Sequence, residues 1–329
     1  MQTVLFILSV LFNLGLIALL LLENPKRKNK DRKIDVWKAS APAQPEEVAK
    51  FYNQYNDAFL EVYGEVIQAY RTTDISKLLD YQIESIGFRQ GQHVLDAGCG
   101  ICGPAAYFAK KCGVKVDAIT ISTEQVEKAN AYLAKEETGQ LVNVIHGDYH
   151  RLPEIVEKDH YDIVYFLESF GHSYNHAKSI KAAWDVLKPG GTLYIKDLFR
   201  KIAAFDELQP RLDAEIKKIN KAYRYNIADL YTVLHTIRQL GFVIMSLKTI
   251  DLKLDEFENL TISNKFQELT GIGKIENWEA YIFPIEFYEL KCYKPVYDLS
   301  KGMDKYFLQN LYYMQVKGLK ADQLDNVGE

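Results

Sequence analysis

A glycine-rich loop that also holds a carboxylate and two thiols is the first place in this sequence where chemistry is expected. Residues 94–104 read VLDAGCGICGP, with Asp96 two positions before the first of three glycines, Gly98, Gly100 and Gly103. The loop ends an apolar run and opens a helix-like segment. Glycines allow a backbone to turn tightly and to approach a ligand beside a helix N-terminus. The spacing therefore predicts a site for a nucleotide-like cofactor.

Two features of the loop argue against a dinucleotide, although G-x-G-x-x-G spacing is also found in dinucleotide sites. Asp96 would repel a pyrophosphate, whereas its carboxylate could hold a cationic or amino group. A dinucleotide site also requires an acidic residue near the end of the next strand, about 20 residues further on. That strand ends in Thr120 and Ser122, which carry only hydroxyls, and Asp117 lies earlier within it.

The two cysteines of the loop, Cys99 and Cys102, form a C-x-x-C pair that elsewhere performs redox chemistry. Here the cofactor already accounts for the loop, so we interpret them as small, weakly polar fillers. No second cysteine pair completes a zinc site. His172 and His176 have i, i+4 spacing but no evident third ligand. We therefore predict no metal site.

Strand-like and helix-like segments alternate through the middle of the chain. An alternation of this kind predicts an α/β fold with a mostly parallel sheet and a ligand at the carboxyl ends of the strands. A longer helical stretch is expected from about 203 to 240. The last two strands could form an antiparallel hairpin, because no clear helix connects them. The seven strand candidates are HVLDAG, KVDAITI, VNVIHGD, YDIVYFLE, GTLYIKDLF, FVIMSLKTI and YIFPIEFYELKCY.

The first 24 residues differ from the rest, because residues 4–22 are apolar except for Ser9 and Asn13. As a helix, about 19 residues span about 28 Å, close to the thickness of a bilayer core. Six basic residues follow between 26 and 33. By the positive-inside rule, we expect a single-pass membrane anchor with the body of the protein on the cytoplasmic side. A cleaved signal peptide is the alternative, but the basic segment that should precede its apolar core is missing.

The predicted organisation has five parts. The transmembrane anchor precedes a basic, Pro/Ala-rich linker and a lid of amphipathic helices. A catalytic domain with a helical insertion at about 200–240 follows, and a helical tail ends the chain. The net charge of −4 gives no basic field for nucleic acid. The boundaries are 1–24, 25–45, 46–88, 89–295 and 296–329.

Four segments in order resemble the motifs of class I S-adenosylmethionine-dependent methyltransferases. They are VLDAGCGICGP, ITISTEQ (119–125), HGDYHRLP (146–153) and LKPGGTLYIKD (187–197). The resemblance implies a Rossmann-like, seven-stranded methyltransferase fold and S-adenosylmethionine as cofactor. It places Asp148 where it would meet the exocyclic amine of the adenine.

A fifth segment narrows the resemblance. FLESFGHSYNH (166–176) resembles the fourth-strand motif of sterol and geranyl-diphosphate C-methyltransferases, with Glu168 and His172 at matching positions. Residues 51–65 resemble the aromatic N-terminal region of sterol methyltransferases. The chain departs from that pattern at Tyr63, where the family has Trp-Gly followed by a Phe-His pair.

Together these observations assign expected roles to individual residues. Asp96 would bind the methionine amino group, the glycines would allow close approach, and hydroxyl and amide groups after the second strand would bond the ribose. Ser122 could equally be a helix N-cap with Gln125 completing a capping box. The catalytic candidates are Glu168 and His172. The cofactor-binding candidates are Asp96, Gly98, Gly100, Gly103, Thr120, Ser122, Gln125, Asp148 and Tyr149, and the substrate-binding candidates are Tyr63, Tyr70, Tyr174 and Tyr225.

The expected reaction is methylation of carbon in an isoprenoid or other lipid-like small molecule at a membrane. Methylation of an alkene leaves a carbocation, which aromatic faces stabilise and a base such as Glu168 or His172 resolves by taking a proton. Transfer to nitrogen or oxygen of a lipid headgroup, quinone or small molecule is one alternative. A non-catalytic cofactor-binding protein at the membrane is another.

Overall fold

The structure is a computed structural model that describes residues 41–252, 258–277 and 279–296. These residues belong to one unit, which begins at Ala39. The predicted anchor (1–24), most of the predicted linker (25–45) and all but the first residue of the predicted tail (296–329) lie outside the described residues.

A seven-stranded sheet forms the centre of the described residues, as the sequence predicts. Its strand order is β3-β2-β1-β4-β5-β7-β6, and β7 runs antiparallel to both of its neighbours. Because the order reverses between β1 and β4, the carboxyl ends of these strands open a crevice where ligands bind in such sheets. The prediction of a Rossmann-like fold is confirmed. The strands are β1 (His93–Ala97), β2 (Lys115–Thr120), β3 (Val142–His146), β4 (Tyr161–Leu167), β5 (Leu187–Arg200), β6 (Val243–Thr249) and β7 (Ile285–Tyr293).

The helices agree with the expected rhythm except in two places. The predicted helical stretch at 203–240 is two helices, because Arg224 adopts a left-handed conformation (φ 58°) that ends the first of them. The antiparallel pairing of the last two strands is present, but a helix does lie between them. The helices are α1 (Pro45–Tyr63), α2 (Ile75–Ile86), α3 (Gly103–Cys112), α4 (Thr123–Lys135), α5 (Leu152–Ile155), α6 (His176–Val186), α7 (Gln209–Tyr223), α8 (Leu230–Gln239) and α9 (Glu258–Thr270).

The central strands β1, β4 and β5 are buried on both faces, which explains their near-continuous apolar sequences. Successive side chains of β1 point to opposite faces, so Val94 joins one core cluster and Leu95 the other. Phe108 of α3 packs on the first face and Phe166 of β4 on the second. The two buried layers fix the strand ends that carry the candidate site.

The lid predicted from aromatic spacing is formed by α1, α2 and the segment between them. One edge of α1 is held by an aromatic stack, in which the ring centroids of Phe59 and Phe266 are 4.4 Å apart. On the other edge, the Ser122 hydroxyl at the start of α4 donates to Asn53 Oδ1 at 2.6 Å. Both edges of α1 are therefore tied to the body of the fold.

The predicted membrane location is corrected by the structure. Among the helices of the described residues, none is long and apolar enough to cross a bilayer. The apolar segment 4–22, on which the prediction rested, lies outside those residues. The prediction of a membrane-anchored protein is therefore wrong for the part of the chain that the structure describes.

Gly103 provides a test of how the lid packs. A Cβ at this position would lie 2.1 Å from the carbonyl oxygen of Glu65, which belongs to the lid, although alanine suits a helix better than glycine. We expect Gly103→Ala to lower the free energy of unfolding by about 1–3 kcal/mol, measured by chemical denaturation. Gly139→Ala is the control, because a Cβ there meets nothing within 4 Å. Equal stability of both variants would contradict the packing described.

Candidate functional site

A cavity lies at the carboxyl ends of β1, β2 and β4, directly beneath the lid. It encloses about 880 Å³, including its opening to solvent. The glycine loop forms one wall, and the ends of β2 and β4 form others. Pro45, Val48 and Tyr52 of α1 cover it. We call it the cofactor cavity because most of the predicted cofactor residues line it.

The three glycines of the loop serve two different purposes. Gly98 has a φ of 109°, and a Cβ on it would lie 2.3 Å from the Cβ of Ser169 at the end of β4. Gly98 and Gly100 both line the cofactor cavity. Gly103 instead admits the Glu65 carbonyl of the lid, and it is not among the cavity-lining residues.

Asp96 is the buried carboxyl group of the cavity wall. Its side chain forms no ion pair with the lysine, arginine or histidine residues that the structure describes, and the residue is 2% exposed. Burial raises the pKa of this carboxyl group to about 7. A buried acidic group without a cationic partner fits a ligand that brings its own positive charge, such as an amino acid ammonium.

The polar residues after β2 divide between the cavity and the helix that follows. Thr120 donates to the side-chain oxygen of Gln125 at 2.6 Å, and both residues line the cavity. Ser122 is the N-cap of α4 and accepts a hydrogen bond from the Gln125 backbone at 3.1 Å. Because Ser122 also donates to the lid residue Asn53, its hydroxyl is engaged away from the cavity. The geometry of Ser122 is therefore that of a helix N-cap.

Asp148 and Tyr149 line the cavity from the loop after β3. Asp148 accepts hydrogen bonds from the backbone N–H of His150 and contacts its Nδ1 at 2.5 Å. Burial works to raise the pKa of Asp148, but the His150 contacts outweigh it and leave the pKa lowered. Asp148 therefore remains an acceptor that could receive an exocyclic amine. His150 is buried, which its sequence context did not suggest.

Glu168 sits at the end of β4 in a buried ion pair with Lys196 of β5. The same carboxylate accepts hydrogen bonds from two lid backbone groups, Ala69 N at 2.6 Å and Tyr70 N at 3.2 Å. Lys196 in turn donates to the Gln68 side-chain oxygen at 2.7 Å. We call this set of contacts the lid latch. A carboxylate held in this way is suited to fixing the lid against the sheet.

His172 lines the cavity, and its two ring nitrogens make the hydrogen bonds of a neutral imidazole. Its Nδ1 lies 3.2 Å from the Arg224 carbonyl oxygen, which can only accept, so Nδ1 carries the proton. Its Nε2 consequently accepts from the Tyr52 hydroxyl at 2.8 Å. Burial lowers the pKa of His172 to about 4. The ring is therefore neutral near pH 7, and the lone pair of its Nε2 is engaged by the Tyr52 hydroxyl.

The four tyrosines predicted to bind substrate lie around the cavity without lining it. Tyr225 stacks on His172 with centroids 4.2 Å apart, and Tyr63 packs beside Phe59 in the lid. The Tyr70 hydroxyl donates to the Leu252 carbonyl at 2.8 Å. The Tyr174 ring lies against His150, 4.0 Å between centroids. Their substrate contacts stay predictions.

Two residues that contact the predicted catalytic side chains were missed by reasoning from sequence. Tyr52 is one of several aromatic residues in the lid segment, and nothing local marks it as the partner of a histidine 120 positions away. Lys196 could have been suspected, because it is a lone lysine inside the apolar strand segment LYIKDLF. A lysine in such a strand needs a buried partner.

The site residues fit S-adenosylmethionine. Asp96 can accept the amino group, and Asp148 is oriented as an acceptor on the other side of the cavity. Thr120 ends β2, which lies between β1 with Asp96 and β3, the strand that precedes Asp148. Gln125 is hydrogen-bonded to Thr120. Gly98 has no room for a side chain and keeps the loop in close contact with the strand ends.

Comparison with known proteins also indicates a methyltransferase. Residues 95–195 match the family model described as a methyltransferase domain. A sterol 24-C-methyltransferase of Gibberella zeae is 30% identical over half of this chain and 43% of that protein. An O-methyltransferase of Penicillium expansum is 29% identical over 70% of this chain and 82% of that protein. The chain spans about half the length of the first curated relatives that it matches.

A solved structure supports the fold independently. The geranyl diphosphate C-methyltransferase of Streptomyces coelicolor superposes with a TM-score of 0.58 at 13% identity. The match covers 78% of this chain and all of that one. That protein was crystallised with Mg²⁺, geranyl diphosphate and S-adenosylhomocysteine. At this identity the likeness concerns the fold.

The raised pKa of Asp96 predicts that the affinity for the cofactor depends on pH. Its ionised fraction rises as the pH approaches about 7 from below, and only the carboxylate pairs with an ammonium group. We expect the affinity for S-adenosylhomocysteine to rise roughly tenfold from about pH 5.5 to about pH 7, measured by calorimetry. Asp96→Asn should bind weakly at both pH values, while Asp185→Asn on α6 keeps the wild-type profile. A wild-type affinity that is independent of pH would refute the pairing.

Breaking the lid latch should lower the stability of the protein strongly. A second substitution that removes the unpaired charge should restore part of the loss. Lys196→Met leaves the buried Glu168 carboxylate without its cation, so the free energy of unfolding should fall by about 3–5 kcal/mol. Adding Glu168→Gln removes the unpaired charge and should recover part of that loss. Chemical denaturation of the two single variants and the double variant measures the coupling. Additive losses would show that the two groups do not act as a pair.

Proposed function

Because the chain belongs to the class I S-adenosylmethionine-dependent methyltransferases, we propose that it methylates a carbon atom of an isoprenoid or other lipid-like acceptor. The observation that carries the proposal is the aromatic lining that Tyr52 and Tyr149 give the cofactor cavity beside His172. The His172 ring stacks on Tyr225, and the edge of Tyr52 meets it with centroids 5.3 Å apart. Tyr52 also stacks on Phe59 at 5.2 Å.

Aromatic rings and a neutral base are what carbon methylation requires. A methylated alkene carries a carbocation, and each desolvated aromatic face stabilises a cation by about 0.5–2 kcal/mol. The cation is resolved when a base removes a proton. His172 Nε2 receives that proton through the Tyr52 hydroxyl, which gives its own proton to Nε2 as its oxygen takes the proton from the cation.

The remaining residues position the reactants and exclude water. When bound, S-adenosylmethionine supplies a methyl group that is already electrophilic. Asp96 and the glycine loop fix its amino acid end, and Pro45, Val48 and Tyr52 of α1 close the cavity above. Glu168 holds the lid in this position through its bonds to Ala69 and Tyr70. We therefore assign Glu168 a positioning role and His172 the role of proton acceptor.

Transfer to oxygen or nitrogen is the second candidate. The Penicillium O-methyltransferase, which is matched over 82% of its length, supports it. A neutral His172 could deprotonate a hydroxyl in the same place. In that case the aromatic surround would serve only to bind an apolar acceptor.

The chemical stability of the product separates the two candidates. The full chain is incubated with methyl-labelled S-adenosylmethionine and isoprenoid diphosphates, sterols or phenolic acceptors, and the products are analysed by mass spectrometry before and after hydrolysis. We expect the label to remain in the hydrocarbon fragment. A label on oxygen or nitrogen would establish the second candidate, and an absence of labelled product with every acceptor would count against both.

The pair formed by Tyr52 and His172 predicts a specific kinetic pattern. Removal of a general base typically lowers kcat by about 10²–10⁴-fold, so we expect His172→Gln to fall in this range with cofactor affinity little changed. Because the pKa of His172 is about 4, the wild-type kcat should not decline from about pH 8 to about pH 6. Tyr52→Phe tests the relay, and Tyr107→Phe on α3 is the control. Wild-type kcat in His172→Gln would exclude it as the base.

A further inference from the structure

A series of buried hydrogen bonds ends on Asp148, at the edge of the cofactor cavity. The hydroxyl oxygen of Ser179 lies 2.7 Å from that of Ser173, and Ser173 Oγ lies 2.8 Å from Nε2 of His150. The other ring nitrogen of His150, Nδ1, lies 2.5 Å from Asp148 Oδ1. His150, Ser173 and Ser179 are buried. We call these four residues the Asp148 network.

The proton positions in the Asp148 network follow from the groups that meet. Burial works to raise the pKa of Asp148, but the contacts with His150 outweigh it, so the carboxyl group is ionised near pH 7. An ionised carboxylate can only accept hydrogen bonds, so His150 Nδ1 carries a proton. When the ring is neutral, its Nε2 accepts from Ser173, and Ser173 accepts from Ser179. Every donor in the network then points towards Asp148.

The Asp148 network occupies one carboxylate oxygen and leaves the other. Oδ1 receives the His150 Nδ1 proton and also the His150 backbone N–H at 2.9 Å. Among the described residues, none makes a hydrogen bond or an ion pair to Oδ2. Asp148 lines the cofactor cavity, and its side chain is 17% exposed. Oδ2 is therefore left for a ligand, and as part of a carboxylate it can only accept.

The His150 ring is held by neighbouring rings as well as by hydrogen bonds. Its centroid lies 4.7 Å from that of Tyr149 and 4.0 Å from that of Tyr174. A turn of the ring would give up both of these contacts and the bond between Nε2 and Ser173. Nδ1 therefore stays directed at Asp148.

We propose that His150 is a positioning residue that makes the cofactor cavity selective for adenine, by holding Asp148 so that Oδ2 accepts from the amino group of the base. Asp96 lies on β1, whereas Asp148 follows β3, two strands away, so a cofactor whose amino acid end is at Asp96 has its base beside Asp148. Hypoxanthine carries an oxygen where adenine carries the amino group, and that oxygen would face Oδ2 without a proton between them. The inference rests on S-adenosylmethionine as cofactor and on no particular methyl acceptor.

Binding of S-adenosylhomocysteine and S-inosylhomocysteine to the full chain tests the proposal. The two ligands differ at the base, where a carbonyl oxygen replaces the amino group. Calorimetry near pH 7 gives the ratio of their affinities, and for the wild type we expect S-adenosylhomocysteine to bind at least about tenfold more tightly. General loosening of the site would weaken both ligands and leave this ratio unchanged.

Two amide substitutions at His150 separate the position of the donor from the presence of a polar side chain. His150→Asn keeps an N–H donor near the place of Nδ1, whereas His150→Gln carries its amide further out, near the place of Nε2. We expect His150→Asn to keep a ratio of roughly tenfold and His150→Gln to bring it within about threefold of unity. His235→Gln, at an exposed position of α8, is the matched control and should keep the wild-type ratio.

A double variant shows whether His150 acts through Asp148. Asp148→Asn should itself lower the ratio, because its amide can turn to donate to the hypoxanthine oxygen. Adding His150→Gln should then change the ratio little, since the carboxylate that His150 positions is gone.

Three results would overturn the proposal. They are equal affinities of the wild type for the two ligands, equal ratios in His150→Asn and His150→Gln, and additive losses in the double variant. A wild type that binds neither ligand would defeat the proposed function together with this inference. Methyl transfer by a wild type that does not distinguish the two bases would defeat this inference alone.

Discussion

The ion pair between Glu168 and Lys196 is the contact on which the arrangement of the site depends. Both side chains are almost completely buried, and the desolvation of such a pair is costly. Glu168 also adopts a left-handed backbone conformation with φ 59°, which is unfavourable for a residue with a side chain. These costs are offset by lid residues: the backbone N–H groups of Ala69 and Tyr70 donate to Glu168, and the Gln68 side-chain oxygen accepts from Lys196. The lid is therefore held on the sheet by polar contacts at the edge of the site itself.

The position of the lid also sets the surroundings of His172, the proposed proton acceptor. Tyr52 reaches His172 only because α1 lies across the carboxyl ends of the strands. The same placement keeps His172 away from water and lowers its pKa. In the proposed mechanism, two neighbouring residues of one segment therefore divide the work: Glu168 holds the lid and His172 accepts the proton.

The sequence was informative where function depends on neighbours in the chain. The alternation of strands and helices, the glycine loop and Asp96 are local patterns, and local patterns specify the sheet and the cofactor cavity. The partners of Glu168 and His172 come from distant positions, Lys196 and Tyr52, and no spacing rule connects them. Gly103 shows a further limit, because its place in a glycine motif suggested a ligand, whereas the residue that approaches it is Glu65 of the lid. The division of the helical segment at Arg224 also depends on packing, since arginine is not a helix breaker.

The way α1 is fastened has a consequence for how quickly the protein can exchange its ligands. The helix is tied on one edge through Asn53 and Ser122 and on the other through Phe59 and Phe266. Since Pro45, Val48 and Tyr52 of α1 cover the cavity, release of either edge widens the path by which a spent ligand leaves and a fresh one enters. Such a step is common to departure and arrival, and where it limits turnover, kcat falls as solvent viscosity rises.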